Sequence, residues 1–208
     1  MLDWLGPEGD VIARAFERVF RRDGTPFGSP ALRWGGVHDG AEGVQWNVGM
    51  DPRSPERWVS VNLEGLRYDG WPLARLITKE MRRPSLPALA GASPHLNAVR
   101  MSMEREFWTG RNRVHWESIA DIPLADTTDA EWRRVLSEAR NCLASASGRR
   151  GRASFVPKSG SAPISAEVTP HLAFRVTAAQ VDDWQQFIRD GLECLDPLYE
   201  WTAERAGA

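Results

Sequence analysis

Two neighbouring stretches constrain the chain most. In residues 44–50, Val44, Trp46, Val48 and Met50 alternate with Gln45, Asn47 and Gly49, and in residues 58–64, Val59, Val61 and Leu63 alternate with Ser60, Asn62 and Glu64. Successive side chains of a strand point to opposite faces of its sheet, so each stretch has one apolar and one polar face. The apolar face needs a cover, and the polar face is left to water or to a ligand. A further strand is expected over about 32–38, and the turn-rich segments DGAEG and DPRSPER separate the three, which reads as a meander.

The cover is expected from helices. Val11, Ile12, Ala15, Phe16, Val19 and Phe20 recur at three- and four-residue spacing, which predicts a helix over 8–22 stopped by Asp23-Gly24. Another should start near Trp71-Pro72, with proline in its first turn, and end before Pro84. A Pro-rich connector, RRPSLPALAGASPH, then leads into a hairpin over 101–119. Thr128 to Glu131 is a capping-box pattern, and Trp132, Val135, Leu136, Ala139, Cys142 and Leu143 form an apolar stripe behind it. Leu172, Phe174 and Val176 alternate as a strand. Thr177 to Gln180 is a second capping box, expected to open a helix with Val181, Trp184, Ile188 and Leu195 inward. Asp196-Pro197 predicts a break, with a last helix to about Arg205.

Strands and helices in this order do not alternate as a parallel sheet requires. The expectation is an α+β fold, a mainly antiparallel sheet of about six strands with helices on one face, formed by residues 1–208 as a single domain. Residues 145–165, rich in Ser, Gly and Arg, are expected to form a long mobile basic loop.

Composition narrows the function classes. Apolar residues are 42% and charged residues 26% of the chain, enough to build a core, and the ten tryptophans each bring a large apolar body with one N–H needing a partner. The net charge of −2 supplies no global attraction for a polyanion or an acidic membrane surface. Charge is uneven, net +5 over 131–158 and net −5 from 159 to the end, so these segments attract each other. Only Lys79 and Lys158 are lysines among 26 basic residues, a bias that makes arginine-rich stretches less informative. Cys142 and Cys194 offer neither a disulfide framework nor zinc spacing, and both read as buried free thiols of a reducing cytoplasm. The N-terminus has no basic n-region, and no apolar run approaches the roughly 20 residues that span a bilayer, so no membrane association is expected.

Three groups of residues could carry chemistry. A two-residue turn at Gly110-Arg111 would pair positions whose numbers sum to 221, setting Glu106 opposite His115 and Glu104 opposite Glu117 on one face of the 101–119 hairpin. Three carboxylates and an imidazole in cross-strand reach could hold a divalent cation or do acid–base work; the plain alternative is a solvated strand face. Asn47, Asn62 and Glu64 on the polar face of the meander, with Asp69 in GLRYDGW, could line a small-molecule pocket, against the same alternative. In the basic loop, Arg149, Arg150, Arg152 and Lys158 could contact phosphates while Phe155 stacks on a base, or the loop is simply solvated.

The glycines of GGVHDGAEG fit neither a P-loop nor a dinucleotide fingerprint, the four histidines lack HxxxH or HxH spacing, and neither (D/E)xK nor GxSxG occurs. The reading that follows is a cytoplasmic binding or interaction domain, with no cofactor expected and a protein or small-molecule partner favoured over nucleic acid. Its alternative is a metal-assisted hydrolase, acting on nucleic acid phosphodiesters, that uses Glu104, Glu106, His115 and Glu117.

Overall fold

The computed structural model describes residues 2–29, 34–41, 43–51, 56–64, 72–109, 112–144, 151–155 and 162–207. The meander forms as the alternation predicts and begins one strand earlier. Strands β1 (Thr25–Ser29), β2 (Trp34–His38), β3 (Val44–Asp51) and β4 (Glu56–Glu64) pair antiparallel in sequence order. The hairpin contributes β5 (Arg100–Thr109) and β6 (Asn112–Pro123), and β8 (Ile164–Ala178) lies between β4 and β5. Seven strands thus follow one another as β1-β2-β3-β4-β8-β5-β6, one more than expected, and short β7 (Gly151–Phe155) pairs with the start of β8. Every pairing is antiparallel.

The helices α1 (Pro7–Phe20), α2 (Pro72–Arg82), α3 (Leu86–Ala92), α4 (Asp129–Ala144) and α5 (Trp184–Ala206) cover one face. Val37, Val48, Val59, Val61, Leu63, Met101, Met103, Leu172 and Phe174 meet Phe16, Leu76, Trp132, Ile188 and Leu198 there in one buried cluster. Burial of this stripe, at roughly 25 cal/mol per Å² of apolar surface, drives the two layers together. Glu80, fully buried on α2, ties the helices: it accepts from Ser85 N at 2.9 Å, Ser85 Oγ at 2.7 Å and Trp132 Nε1 at 2.9 Å, and lies 3.3 Å from Arg205 Nε.

Four expectations are corrected. The proposed 145–165 loop contains a strand, because residues 151–155 pair from Gly151↔Val168 to Phe155↔Ile164 and β8 starts at residue 164; pairing to a long neighbour supplies backbone hydrogen bonds that a Gly/Ser/Arg composition does not advertise. The connector after Pro84 contains the helical turns of α3. Thr177 does not cap a helix, since Thr177↔Trp58 and Ala178↔Arg57 still pair in the sheet; the cap is Asp183, whose side chain accepts from Gln185 N and Gln186 N. Finally, α5 runs unbroken through Pro197.

Candidate functional site

Register decides which side chains share the face away from the helices. On β4 these are Trp58, Ser60 and Asn62, which pair with Thr177, Arg175 and Ala173 on β8 and with Gly49, Asn47 and Gln45 on β3. Gly49 is needed there: a Cβ would come within 2.7 Å of Trp58 Cζ2, so its absence lets the indole lie against the sheet. On β5 the face carries Ser102, Glu104, Glu106 and Trp108, opposite Ala173, His171, Thr169 and Glu167 on β8. Asn47, Ser60, Asn62, Ser102, Glu106 and Thr169 are all buried, although the helices pack on the other side of the sheet.

The four residues expected to cluster on the hairpin are divided. The pairing starts as expected, with Thr109↔Asn112 and Trp108↔Arg113, but it then passes to Phe107↔His115 and leaves Val114 as an extra residue. A bulge shifts everything beyond it by one, and a one-residue shift exchanges faces. Glu106 therefore pairs with Trp116, Glu104 with Ser118, and Arg105 with Glu117. His115 packs beside Phe107 on the helix side, with ring centroids 5.2 Å apart, and stands 3.5 Å from Glu117. Glu117 also accepts from Arg105 Nη1 at 3.2 Å. The hydrogen bond from Arg105 to Cys142 Sγ, and then the charge of Glu117, hold the Arg105 guanidinium above its ordinary pKa. A second bulge, at Ile119, restores the shared alternation before Met103↔Ala120.

His171 occupies the place expected for His115. One ligand atom from each of Glu104, Glu106 and His171 lies within 4.8 Å of the other two. His171 Nδ1 is 4.0 Å from Glu106 Oε1, and Trp108 Nε1 donates to Glu106 Oε2 at 3.1 Å. Four buried polar atoms on this face have no hydrogen-bond partner: Asn47 Oδ1, Asn62 Oδ1, His171 Nδ1 and Arg175 Nε. Buried polar atoms are paired in the great majority of cases, and an unmet one costs about 1–3 kcal/mol. The described remainder of the protein has three more, Thr127 Oγ1 ahead of α4, and Thr202 Oγ1 and Arg205 Nε on α5, the last of them within ion-pair distance of Glu80.

Of the other expected residues, Asn47 and Asn62 stand on this face, Glu64 is opposite His171 by backbone register, and Asp69 lies outside the described residues. Arg149, Arg150 and Lys158 also lie outside them, while Arg152 and Phe155 are in β7, opposite Glu167 and Ile164. Sequence reasoning missed His171, Arg175 and Trp108 as site residues. The alternation of Leu172, Phe174 and Val176 places His171 and Arg175 together on the opposite face, but only the insertion of β8 between β4 and β5 brings them to Asn62 and Glu104. A shallow hollow of about 320 Å³ beside Ala74, Arg75, Thr78 and Lys79 is elsewhere, on α2, where Arg75 and Lys79 donate to the carbonyls of Gly207 and Glu204 at the end of α5.

No helix among the described residues is long and apolar enough to cross a membrane. Compared with protein-family models, with curated proteins and with solved structures, the chain matches none.

Proposed function

We propose that this protein is a binding module that holds a small polar ligand against the polar face of its sheet. One observation carries the reading: among the described residues, four of the seven buried polar atoms without a hydrogen-bond partner, Asn47 Oδ1, Asn62 Oδ1, His171 Nδ1 and Arg175 Nε, share that face. Small-molecule sites combine apolar walls with a few placed polar groups, and Trp58, Trp108 and Trp116 are among the aromatic side chains on the same face. Two amide oxygens call for donors on the ligand, and Arg175 Nε, on a guanidinium whose Nη2 lies 3.8 Å from Asp121 Oδ1, calls for an acceptor. Hydrolysis by Glu104, Glu106, His115 and Glu117 together gains no support, since the sheet divides those four between its faces.

The test uses the sign of a stability change. An acceptor kept for a ligand is a burden without it, so Asn62→Leu and Asn47→Leu, similar in shape and apolar, should each leave the ligand-free protein as stable as the parent or up to about 1 kcal/mol more stable in urea unfolding. The same replacements should abolish any thermal stabilisation by small polar anions in the parent. Loss of more than about 1 kcal/mol in both variants, the usual cost of deleting a satisfied hydrogen bond, would show these amides to be structural and the reading to be wrong.

A further inference from the structure

We infer that Glu104, Glu106 and His171 bind one divalent first-row transition cation, Zn²⁺ or Mn²⁺. The β5–β8 register sets Glu104 directly opposite His171, with Glu106 two residues along on the same face, and the three ligand atoms lie within 4.8 Å of one another. An ion about 2.0–2.2 Å from each donor of a tetrahedral set holds those donors about 3.3–3.6 Å apart, so closure by about an ångström, within reach of the glutamate rotamers, completes the site. The 4.0 Å between His171 Nδ1 and Glu106 Oε1 is too long for a hydrogen bond and leaves room for an ion to draw the two donors together.

Three further observations point to a ligand in that space. His171 Nδ1 is buried with no hydrogen-bond partner. Glu106, 6% exposed, is oriented by the indole N–H of Trp108, as outer-shell groups orient metal-binding carboxylates. Asn62, 8% exposed and diagonal to His171 across β4 and β8, has a carbonyl oxygen with no partner, placed to accept from a water on the ion. Mixed imidazole and carboxylate donors select Zn²⁺ or Mn²⁺ over Mg²⁺ and Ca²⁺, which take oxygen donors. Two carboxylates neutralise the ion, and its remaining positions are left to water or to a small ligand on the face that carries Asn62.

The site rests on the reading of this face as a binding surface, but it is tested without any organic ligand. The full chain, stripped with a chelator and freed of it, is titrated with Zn²⁺ by calorimetry and with Mn²⁺ by loss of the free-ion electron paramagnetic resonance signal. One ion should bind per chain, more weakly by about tenfold or more in Glu104→Gln and in His171→Gln. Both variants should unfold cooperatively, and Mg²⁺ should compete poorly. Absence of saturable binding, or equal binding by parent and both variants, would overturn the site. If metal fails to bind while a small anion still stabilises the parent and not Asn62→Leu, the metal site falls and the ligand reading stands. If metal binds and no anion does, the reverse holds.

Discussion

Two buried polar residues in this protein sit in opposite circumstances, and their replacement should have opposite signs. Glu80 is fully buried, yet each carboxylate oxygen is met: Oε2 by Ser85 N, Leu86 N and Trp132 Nε1, and Oε1 by Ser85 Oγ, with Arg205 Nε 3.3 Å away. Ser85 Oγ extends the network by accepting from Trp201 Nε1 and Arg205 Nη2, so α2, α3, α4 and α5 meet at one carboxylate. Removing one member of a buried charge network leaves the others desolvated and unpaired, which costs about 3–5 kcal/mol. Glu80→Ala should lose that much in urea unfolding, whereas Asn62→Leu should lose nothing. A small effect of Glu80→Ala, below about 1 kcal/mol, would mean that water replaces the carboxylate and that the network is incidental.

At the scale of elements, α5 puts local sequence signals in competition with tertiary packing. Asp196-Pro197 has the form of a cap and first helical residue, but Leu195, Leu198 and Trp201 on either side of it are all buried against the core, and the helix continues through the proline. An interior proline forgoes a backbone hydrogen bond at about 3 kcal/mol, offset by about 1 kcal/mol from a stiffer unfolded chain. Pro197→Ala should therefore raise stability by about 1–2 kcal/mol; a drop would show that the chain needs a break there. The same competition sets what was legible beforehand. β3, β4, α1 and α4 are readable because their apolar residues recur with one unbroken period, α2 because prolines mark its two ends, and the α+β class follows from their order. Unreadable were β7, whose composition resembles a loop, the strand order, and the bulge at Val114, since one extra residue leaves no mark on an alternating pattern. The alternating patterns accordingly place Glu104, Glu106, Asn47 and Asn62 on polar strand faces, whereas the imidazole opposite Glu104 is His171 of β8 and not His115.

For the whole molecule, the polar face is usable only if the other face is held fast; α4 packs on β5, β6 and β8, and α5 on β3, β4 and β8 and on α1 and α2. Helix α5 comes close to β4 at Gly191, buried within the helix, where an added Cβ would lie 2.7–2.9 Å from all three side-chain carbons of Val59. Val59 cannot yield easily: it is fully buried, β-branched and restricted in rotamer, and its strand is fixed on both sides by β3 and β8. Two effects then oppose each other in Gly191→Ala. Helix propensity favours alanine by about 1 kcal/mol, and overpacking of a close-set core costs about 1–3 kcal/mol. With three contacts under 3 Å and no flexible neighbour to move, overpacking should win, and the variant should be less stable than the parent by up to about 2 kcal/mol, the difference of those two terms. Because β4 also carries Ser60 and Asn62, a helix pushed outward there would loosen the strand from behind, so the variant should also bind Zn²⁺ or Mn²⁺ less tightly although Gly191 lies on the opposite side of the sheet. A Gly191→Ala variant more stable than the parent would show that the two layers stand further apart than this contact requires.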